Sequence, residues 1–167
     1  PFWYGLKFFN VYGPGEYHKQ RMASVVFHSY AQITLKKQVN LFRSHILQYK
    51  DGEQKRDFIY VKDVINICFQ LMNKNKNSGI LNIGTGEARS FYHLVNAVFK
   101  SLNIEPIINY IDMPEDLRNK YQYFTQANTT KLKSIINNFT FTSLENGIND
   151  YVINYLKSHN YISSSNL

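Results

Sequence analysis

The sequence has a single cysteine, Cys68, among its 167 residues. One thiol excludes an internal disulfide framework and a metal site built from several cysteines, and a cytoplasmic protein is the simplest interpretation. No apolar run approaches the ~20 residues that a membrane-spanning helix requires. The opening residues, PFWYGLKFFN, lack the basic start and apolar stretch of a signal peptide. The first residue is not methionine, and we expect the chain to start inside a longer protein.

Several catalytic patterns are also missing. GTGEARS begins as Gly84-x-Gly86, but Arg89 stands at the third glycine position, so the dinucleotide fingerprint fails and a strand-to-helix turn that needs small residues is favoured. The five histidines show no metal-ligand spacing. No Gly-x-Ser-x-Gly sequence supplies a nucleophile elbow. We therefore expect no metal site.

The formal net charge is +7, but the basic residues are spread along the chain rather than gathered in blocks. The one tight cluster, NKNKN at 73–77, is typical of a solvated loop. The charge fits a lysine-rich surface or a site for a phosphorylated small molecule better than a nucleic-acid site. We expect no nucleic-acid and no membrane partner.

Strand and helix patterns alternate along the chain, of which 44% is apolar. Short apolar runs predict buried strands at 5–13, 38–44, 56–61, 79–86 and 106–114. Helical spacing of apolar residues predicts helices at 22–37, 63–74, 90–102, 129–136 and 143–158. Asp63 and Ser90 are the predicted N-caps of two of them.

This alternation predicts an α/β fold, with helices on the faces of a sheet. Ligands of such folds bind beyond the carboxyl ends of the strands, which places NVYGP and GTGEA at the expected site.

The stretch FNVYGPGEYHKQRMAS runs from a strand into a turn that carries Lys19 between His18 and Arg21. A lysine in such a loop is most often a surface residue. Neighbouring cations and partial burial favour the neutral amine, which acts as a general base. Both interpretations remain open on these residues alone.

The combination of FNVYGP, HK, MASVVFH, KRDFIYVKDV, LNIGTGEARSF and YQYFTQA is more specific. It resembles the C-terminal part of the ADP-L-glycero-D-manno-heptose 6-epimerases, a branch of the extended short-chain dehydrogenases/reductases. FNVYGP, RDFIYVKDV and NIGTG are shared widely among nucleotide-sugar epimerases and dehydratases. HK with MASVVFH, and YQYFTQA, indicate the heptose branch.

This resemblance implies bound NADP, oxidation of C6 of an ADP-heptose to a ketone, and return of the hydride to the opposite face. It also implies two proton-transfer groups, the tyrosine of a Tyr-x-x-x-Lys motif and the lysine matched by Lys19. Val11 would pack near the nicotinamide. The implied substrate-binding residues are Asn10, Arg21, His28, Phe42, Arg43, Ser44, His45, Arg56 and Tyr121. Arg21 departs from the pattern, because the family usually has a small serine there.

No tyrosine of this chain is followed by lysine four residues later, so the other catalytic pair is missing. The resemblance therefore implies a fragment: the last parallel strands of an extended Rossmann fold and a small α/β substrate-binding subdomain at 1–158, with a frayed tail at 159–167 and the N-terminal NADP-binding half absent. Strands that have lost their neighbours expose edges and apolar faces, so we expect the isolated chain to be poorly soluble and inactive.

Two other functions remain open. One is another nucleotide-sugar epimerase or dehydratase, and the other is an inactive, binding-only remnant. The family further implies a homo-oligomer, a pentamer by resemblance, a role in lipopolysaccharide core synthesis, and a cytoplasmic location.

Overall fold

A computed structural model describes residues 2–74 and 78–158. The predicted tail at 159–167 and residues 75–77 of the basic cluster lie outside the described residues. The strands of the described ranges are β1 (Tyr4–Phe8), β2 (Asn10–Tyr12), β3 (Val39–Phe42), β4 (Lys55–Tyr60), β5 (Gly79–Ile83), β6 (Ala88–Ser90) and β7 (Ile108–Ile111).

The first three helices each follow a pair of strands, and the last three follow β7. They are α1 (Val25–Lys36), α2 (Val61–Met72), α3 (Phe91–Leu102), α4 (Glu115–Arg118), α5 (Thr130–Ile135) and α6 (Leu144–Tyr151). A 3-10 helix, Tyr17–Met22, precedes α1, and a π-helical segment, Val152–Lys157, continues α6.

The strands form three small sheets rather than one. β1 pairs with β5 and β3 pairs with β7, both in parallel, while β4 pairs in parallel with β2 and antiparallel with β6. Parallel strands joined through helices confirm the predicted α/β class.

The single strand predicted at 5–13 is wrong, because the chain bends at Phe9. The Phe9 amide donates to the Ile83 carbonyl over 2.9 Å, and the Val11 amide donates to the Phe9 carbonyl over 2.9 Å. This turn ends the pairing of β1 with β5 and starts the pairing of β2 with β4.

β4 lies between two hydrophobic cores. Successive side chains of a strand point to opposite faces. Phe58 and Tyr60 enter the larger core with α1, α3 and α6, whereas Ile59 enters a second core with α2, β5 and α5. Because its side chains alternate between the two faces, β4 packs into both hydrophobic cores and connects them.

Serine side chains cap three helices. The hydroxyls of Ser24, Ser90 and Ser143 each accept a hydrogen bond from the amide three residues later, over 3.2–3.3 Å, at the start of α1, α3 and α6. Each such cap stabilises a helix by about 1 kcal/mol. The predicted cap at Ser90 is confirmed.

The predicted N-cap at Asp63 is wrong. α2 begins two residues earlier, at Val61, with Tyr60 in the cap position. The buried Asp63 carboxylate instead accepts hydrogen bonds from the amide and the hydroxyl of Thr142, both at 2.8 Å. It therefore ties the first turn of α2 to the segment that leads into α6.

The outward face of α2 carries apolar side chains. Ile65, Phe69 and Met72 are 62–80% exposed, although the opposite face of the same helix is buried in the second core. A helix that is apolar on both faces is typical of the interior of a larger protein.

Candidate functional site

The loop between β2 and α1 carries Lys19. It starts at Gly13, whose φ of 139° suits glycine, and a Cβ there would lie 2.5 Å from Val61 Cγ1. The 3-10 helix that follows is broken at Gln20, where φ is 47° and ψ is −118°. Non-glycine residues rarely adopt this region, and such strained positions cluster at functional sites.

Lys19 lines a pocket of ≈ 450 Å³ with two other predicted residues, Asn10 and Val11. Its amide donates to the Glu16 carbonyl over 2.9 Å, and this turn holds the lysine backbone at the pocket. The structure thus brings together the predicted catalytic residue and the residues at the start of β2.

A larger cleft of ≈ 700 Å³ lies beside this pocket, and both are lined by Val25 and Phe91. α1 forms one wall of the cleft, and β3, the end of β7 and Tyr121 form the others. Four predicted substrate-binding residues line it: Arg21, His28, Phe42 and Tyr121.

Arg56 lies behind the aromatic wall of the cleft. Its guanidinium carbon is 5.1 Å from the centroid of the Tyr121 ring and 5.7 Å from that of Phe91. One of its nitrogens donates to the Lys55 carbonyl over 2.8 Å, and no carboxylate of the described residues pairs with it. Burial lowers the pKa of Arg56, whereas the neighbouring Tyr121 raises it. A half-buried guanidinium with free N–H groups is suited to binding an anion.

The phenol of Tyr121 completes this wall. Its ring meets Phe42 edge to face, with 6.5 Å between centroids. Burial raises the pKa of the Tyr121 hydroxyl, and the Arg56 charge acts against this shift. The hydroxyl therefore remains a proton donor at neutral pH.

Three other predicted residues lie beyond the cleft lining. Arg43 pairs with Asp112 over 3.3 Å, with both side chains largely in solvent. The hydroxyl of Ser44 donates to the Ile46 carbonyl, and the amide of His45 donates to the hydroxyl of Tyr123 over 2.9 Å. These contacts shape the loop between β3 and β4 rather than the cleft surface.

Two residues that line the cleft are not predicted from the sequence, Phe91 and Gln54. Phe91 lines both the cleft and the smaller pocket, but its place in the apolar stripe at the start of α3 predicts a core residue. The side-chain Nε2 of buried Gln54 donates to the carbonyls of Phe42 and Arg43 over 3.2 and 3.4 Å. No sequence motif marks either residue.

The GTGEA turn does not present its amides to a ligand. Buried Asp57 accepts hydrogen bonds from the amide and hydroxyl of Thr85, the amide of Gly86 and the amide of Ala127, all within 2.8–3.0 Å. A Cβ at Gly84 would lie 2.6 Å from the Ala127 Cβ and 2.9 Å from an Asp57 oxygen. The amides of Thr85 and Gly86 are therefore not free to bind a phosphate, and the close contacts at Gly84 agree with a turn that needs small residues.

Within residues 2–74 and 78–158, no group of three or more histidine, cysteine, aspartate or glutamate side chains is placed to hold a metal ion. Over the same ranges no helix combines the length and apolarity needed to cross a membrane.

Comparison with known proteins agrees with this geometry. A profile of the NAD dependent epimerase/dehydratase family matches residues 2–84. The curated ADP-L-glycero-D-manno-heptose-6-epimerase of Fusobacterium nucleatum is 50% identical, over 96% of this chain and 50% of that protein. The protein of the same name from Nitratidesulfovibrio vulgaris is 51% identical, over 90% of this chain and 47% of that protein.

Solved structures share the fold. The ADP-L-glycero-D-manno-heptose-6-epimerase of Helicobacter pylori superposes with a TM-score of 0.75 at 34% identity, covering 89% of this chain and 43% of that one. The UDP-N-acetylglucosamine 4-epimerase of Methanobrevibacter ruminantium has the same TM-score at 21% identity, covering 93% of this chain and 46% of that one. The second likeness concerns the fold alone.

This chain spans about half the length of the curated relatives that it matches. The family profile, the sequence identity to these relatives and the shared fold agree with one another. The chain belongs to the NAD dependent epimerase/dehydratase family.

Proposed function

We propose that this chain is the substrate-binding, C-terminal part of an ADP-L-glycero-D-manno-heptose 6-epimerase. Curated proteins of that name are about half identical to it over nearly its whole length. The single structural observation that carries the proposal is the position of Arg56, which is half-buried against two aromatic residues of the cleft wall and has no carboxylate partner within residues 2–74 and 78–158. Such a site suits the diphosphate of a nucleotide sugar.

The nucleotide would lie in the larger cleft and the heptose at the smaller pocket. Phe42 would offer a ring edge or face to the base, and the guanidinium of Arg56, which packs on the lining residues Tyr121 and Phe91, would bind a diphosphate oxygen pair. His28 and Tyr121 offer further hydrogen bonds, and Arg21 places a second cation at the cleft. Asn10, at the start of β2, would hydrogen-bond the sugar.

Lys19 would move the proton on one side of the reacting carbon. Inversion at C6 without net redox change requires loss and return of a hydroxyl proton, and the two faces require differently placed proton-transfer groups. Lys19 lies in the pocket next to Asn10 and Val11, where the sugar end of the substrate is expected.

The cofactor, for which we propose NADP, would take the hydride from C6 and return it. The described residues would offer Val11 to the nicotinamide, but the amides of Thr85 and Gly86 in the GTGEA turn are bonded to Asp57 and are not free to hold the dinucleotide phosphates. We therefore assign the main cofactor site, and the catalytic Tyr-x-x-x-Lys pair, to a part of the native protein outside this chain. That part would also cover the apolar outer face of α2.

The proposal makes a direct prediction for the native protein that contains this chain. When it is incubated with ADP-D-glycero-D-manno-heptose, it should produce the L-glycero epimer. Proton NMR of the C6 centre measures this conversion. UDP- and dTDP-sugars serve as controls. Conversion of one of these instead would support the competing function, another nucleotide-sugar epimerase or dehydratase.

The mass of the native protein decides the third alternative, a binding-only remnant. A mass near 19.6 kDa, the mass of this chain, would leave the protein without the catalytic pair and favour the remnant. A mass of ~35 kDa is expected if a domain of ~150 residues precedes it.

Replacement of Arg56 tests the anion site. We expect Arg56→Ala to weaken ADP binding by about 10- to 100-fold, because hydrogen bonds to a charged group contribute about 1.5–3 kcal/mol. Arg56→Lys should recover little, because an ammonium cannot replace the planar fork. Isothermal titration calorimetry with ADP measures both changes.

Arg43→Ala is the matched control for this experiment. Arg43 carries the same charge and, like Arg56, is not a lining residue of the cleft, but its guanidinium pairs with exposed Asp112 instead of packing on Tyr121 and Phe91. Its removal should change the dissociation constant by less than about 3-fold, as for other exposed ion pairs. An equal loss in the two variants would point to a general charge effect and contradict the assigned role of Arg56.

We also propose that the native protein is a cytoplasmic homo-oligomer and that its product enters lipopolysaccharide core synthesis. These properties follow from the same family assignment. Size-exclusion chromatography with light scattering tests the oligomeric state.

A further inference from the structure

We propose that Glu16 is a positioning residue for Lys19, and that it acts by bridging the two ends of the loop that carries the lysine. The proposal rests on the function proposed above and adds a residue to its site. It concerns a carboxylate that no general motif marks, because glutamate in a turn is ordinarily a solvated residue.

The bridge consists of two short hydrogen bonds. One carboxylate oxygen of Glu16 accepts from the amide of Ser24 over 2.6 Å, and the other accepts from the Ser24 hydroxyl over 2.6 Å. Glu16 is only 5% exposed, so both bonds are shielded from water. Hydrogen bonds to an ionised acceptor are about twice as strong as neutral ones, which suits them to close a loop.

Ser24 connects this bridge to the cleft. The same hydroxyl that donates to Glu16 accepts from the amide of Phe27 and caps α1. His28, which lines the larger cleft, lies in the first turns of that helix. The bridge therefore sets the loop and the start of α1 in one arrangement.

Between Tyr17, which packs against the core, and buried Ala23, the loop inside the bridge is exposed. Lys19, Arg21 and Met22 are exposed, and Gln20 adopts a backbone conformation that side chains rarely tolerate. Such a conformation persists only where surrounding contacts enforce it. Among the described residues, Glu16 forms no ion pair with Lys19. Its effect on the lysine thus passes through the backbone.

Glu16 also faces the tyrosines packed around the start of the loop. Burial raises the pKa of Tyr151, and the charge of Glu16 raises it further. Burial likewise raises the pKa of Tyr17, with a contribution from Glu16. Both phenols therefore stay neutral beside the carboxylate at physiological pH.

The test uses Glu16→Gln in the native protein that contains this chain. The amide oxygen can still accept from the Ser24 N–H and the NH₂ group can donate to the Ser24 hydroxyl, so the change removes the negative charge that strengthens both bonds. We expect kcat to fall about 10- to 100-fold with KM changed less than about 3-fold, because a small displacement of a catalytic group affects the transition state most. In a Lys19→Ala background, Glu16→Gln should cause no further loss. Glu105→Gln, at an exposed glutamate, is the matched control.

Amide hydrogen exchange provides a readout that does not depend on activity. Exchange at residues 17–23 should rise about 10-fold in Glu16→Gln, with α2 unchanged, and Ser24→Thr, which keeps the hydroxyl, should preserve both exchange and kcat. Unchanged exchange, or additive losses with Lys19→Ala, would overturn the proposal. If the unmodified protein lacks epimerase activity, the proposed function fails. The exchange experiment still tests the bridge in that case: faster exchange in Glu16→Gln than in the unmodified protein would support it, and unchanged exchange would reject it.

Discussion

Lys19→Ala should reduce kcat of the native protein for ADP-heptose epimerisation by about 10²- to 10⁴-fold, the range that general acid–base groups contribute. Among the described residues that line the pocket with Asn10 and Val11, Lys19 supplies the only amine. Methyl replaces the proton-transfer group without filling its space, so substrate binding should change far less than turnover. Steady-state kinetics with the ADP-sugar measure kcat and KM separately.

Lys133→Ala is the control for this variant. Lys133 is an exposed lysine of α5, remote in sequence from the loop, and its replacement removes the same charge. We expect its kcat to stay within about 2-fold of the unmodified protein. A kcat of Lys19→Ala equal to that of Lys133→Ala would show that Lys19 is a surface lysine, the ordinary interpretation of its position in the sequence.

Asp57→Asn should destabilise the protein by about 3–5 kcal/mol, the cost of disrupting a buried, fully bonded charged group. The Asp57 carboxylate is 0% exposed and accepts hydrogen bonds from four donors. Three belong to Thr85 and Gly86 of the GTGEA turn, and the fourth is the Ala127 amide. An amide of the same size turns its NH₂ group toward two of these donors, which leaves at least one backbone N–H group unpaired. We expect the melting temperature to fall by about 10 °C.

Asp116→Asn is the matched control, since Asp116 is an exposed carboxylate at the start of α4. It should change the free energy of unfolding by less than about 0.5 kcal/mol, as surface substitutions usually do. Urea denaturation of both variants, followed by circular dichroism, measures the difference. Equal stability of the two variants would show that the hydrogen bonds to Asp57 contribute little to folding.

Helices with a clear apolar stripe are predicted best from the sequence. The residues around Ser90 show an N-cap followed by apolar side chains at helical spacing, and α3 forms there as predicted. Asp63 shows the limit of this reasoning, because aspartate is also a common N-cap. The buried position opposite Thr142 uses the carboxylate differently, and that contact joins residues 79 positions apart in the chain.

The site is predicted from the sequence only where its residues are close together along the chain. Lys19, Asn10 and Val11 are near one another in the sequence, so a single strand and loop bring them into one pocket. Arg43 and Arg56 are both candidate anion ligands in the sequence. Only the folded chain separates them, by giving one an exposed aspartate and the other two aromatic rings.

The sequence by itself determined the α/β class, the family resemblance and the loop that carries Lys19, because these depend on local periodicity and on motifs of a few residues. Tertiary structure alone decided that the GTGEA amides bind Asp57, that Phe91 joins the two pockets, and that Glu16 meets Ser24. The physical reason is that a hydrogen bond or a shared wall depends on which distant segments pack together. Periodicity reports which face of an element is buried, but not which partner it is buried against.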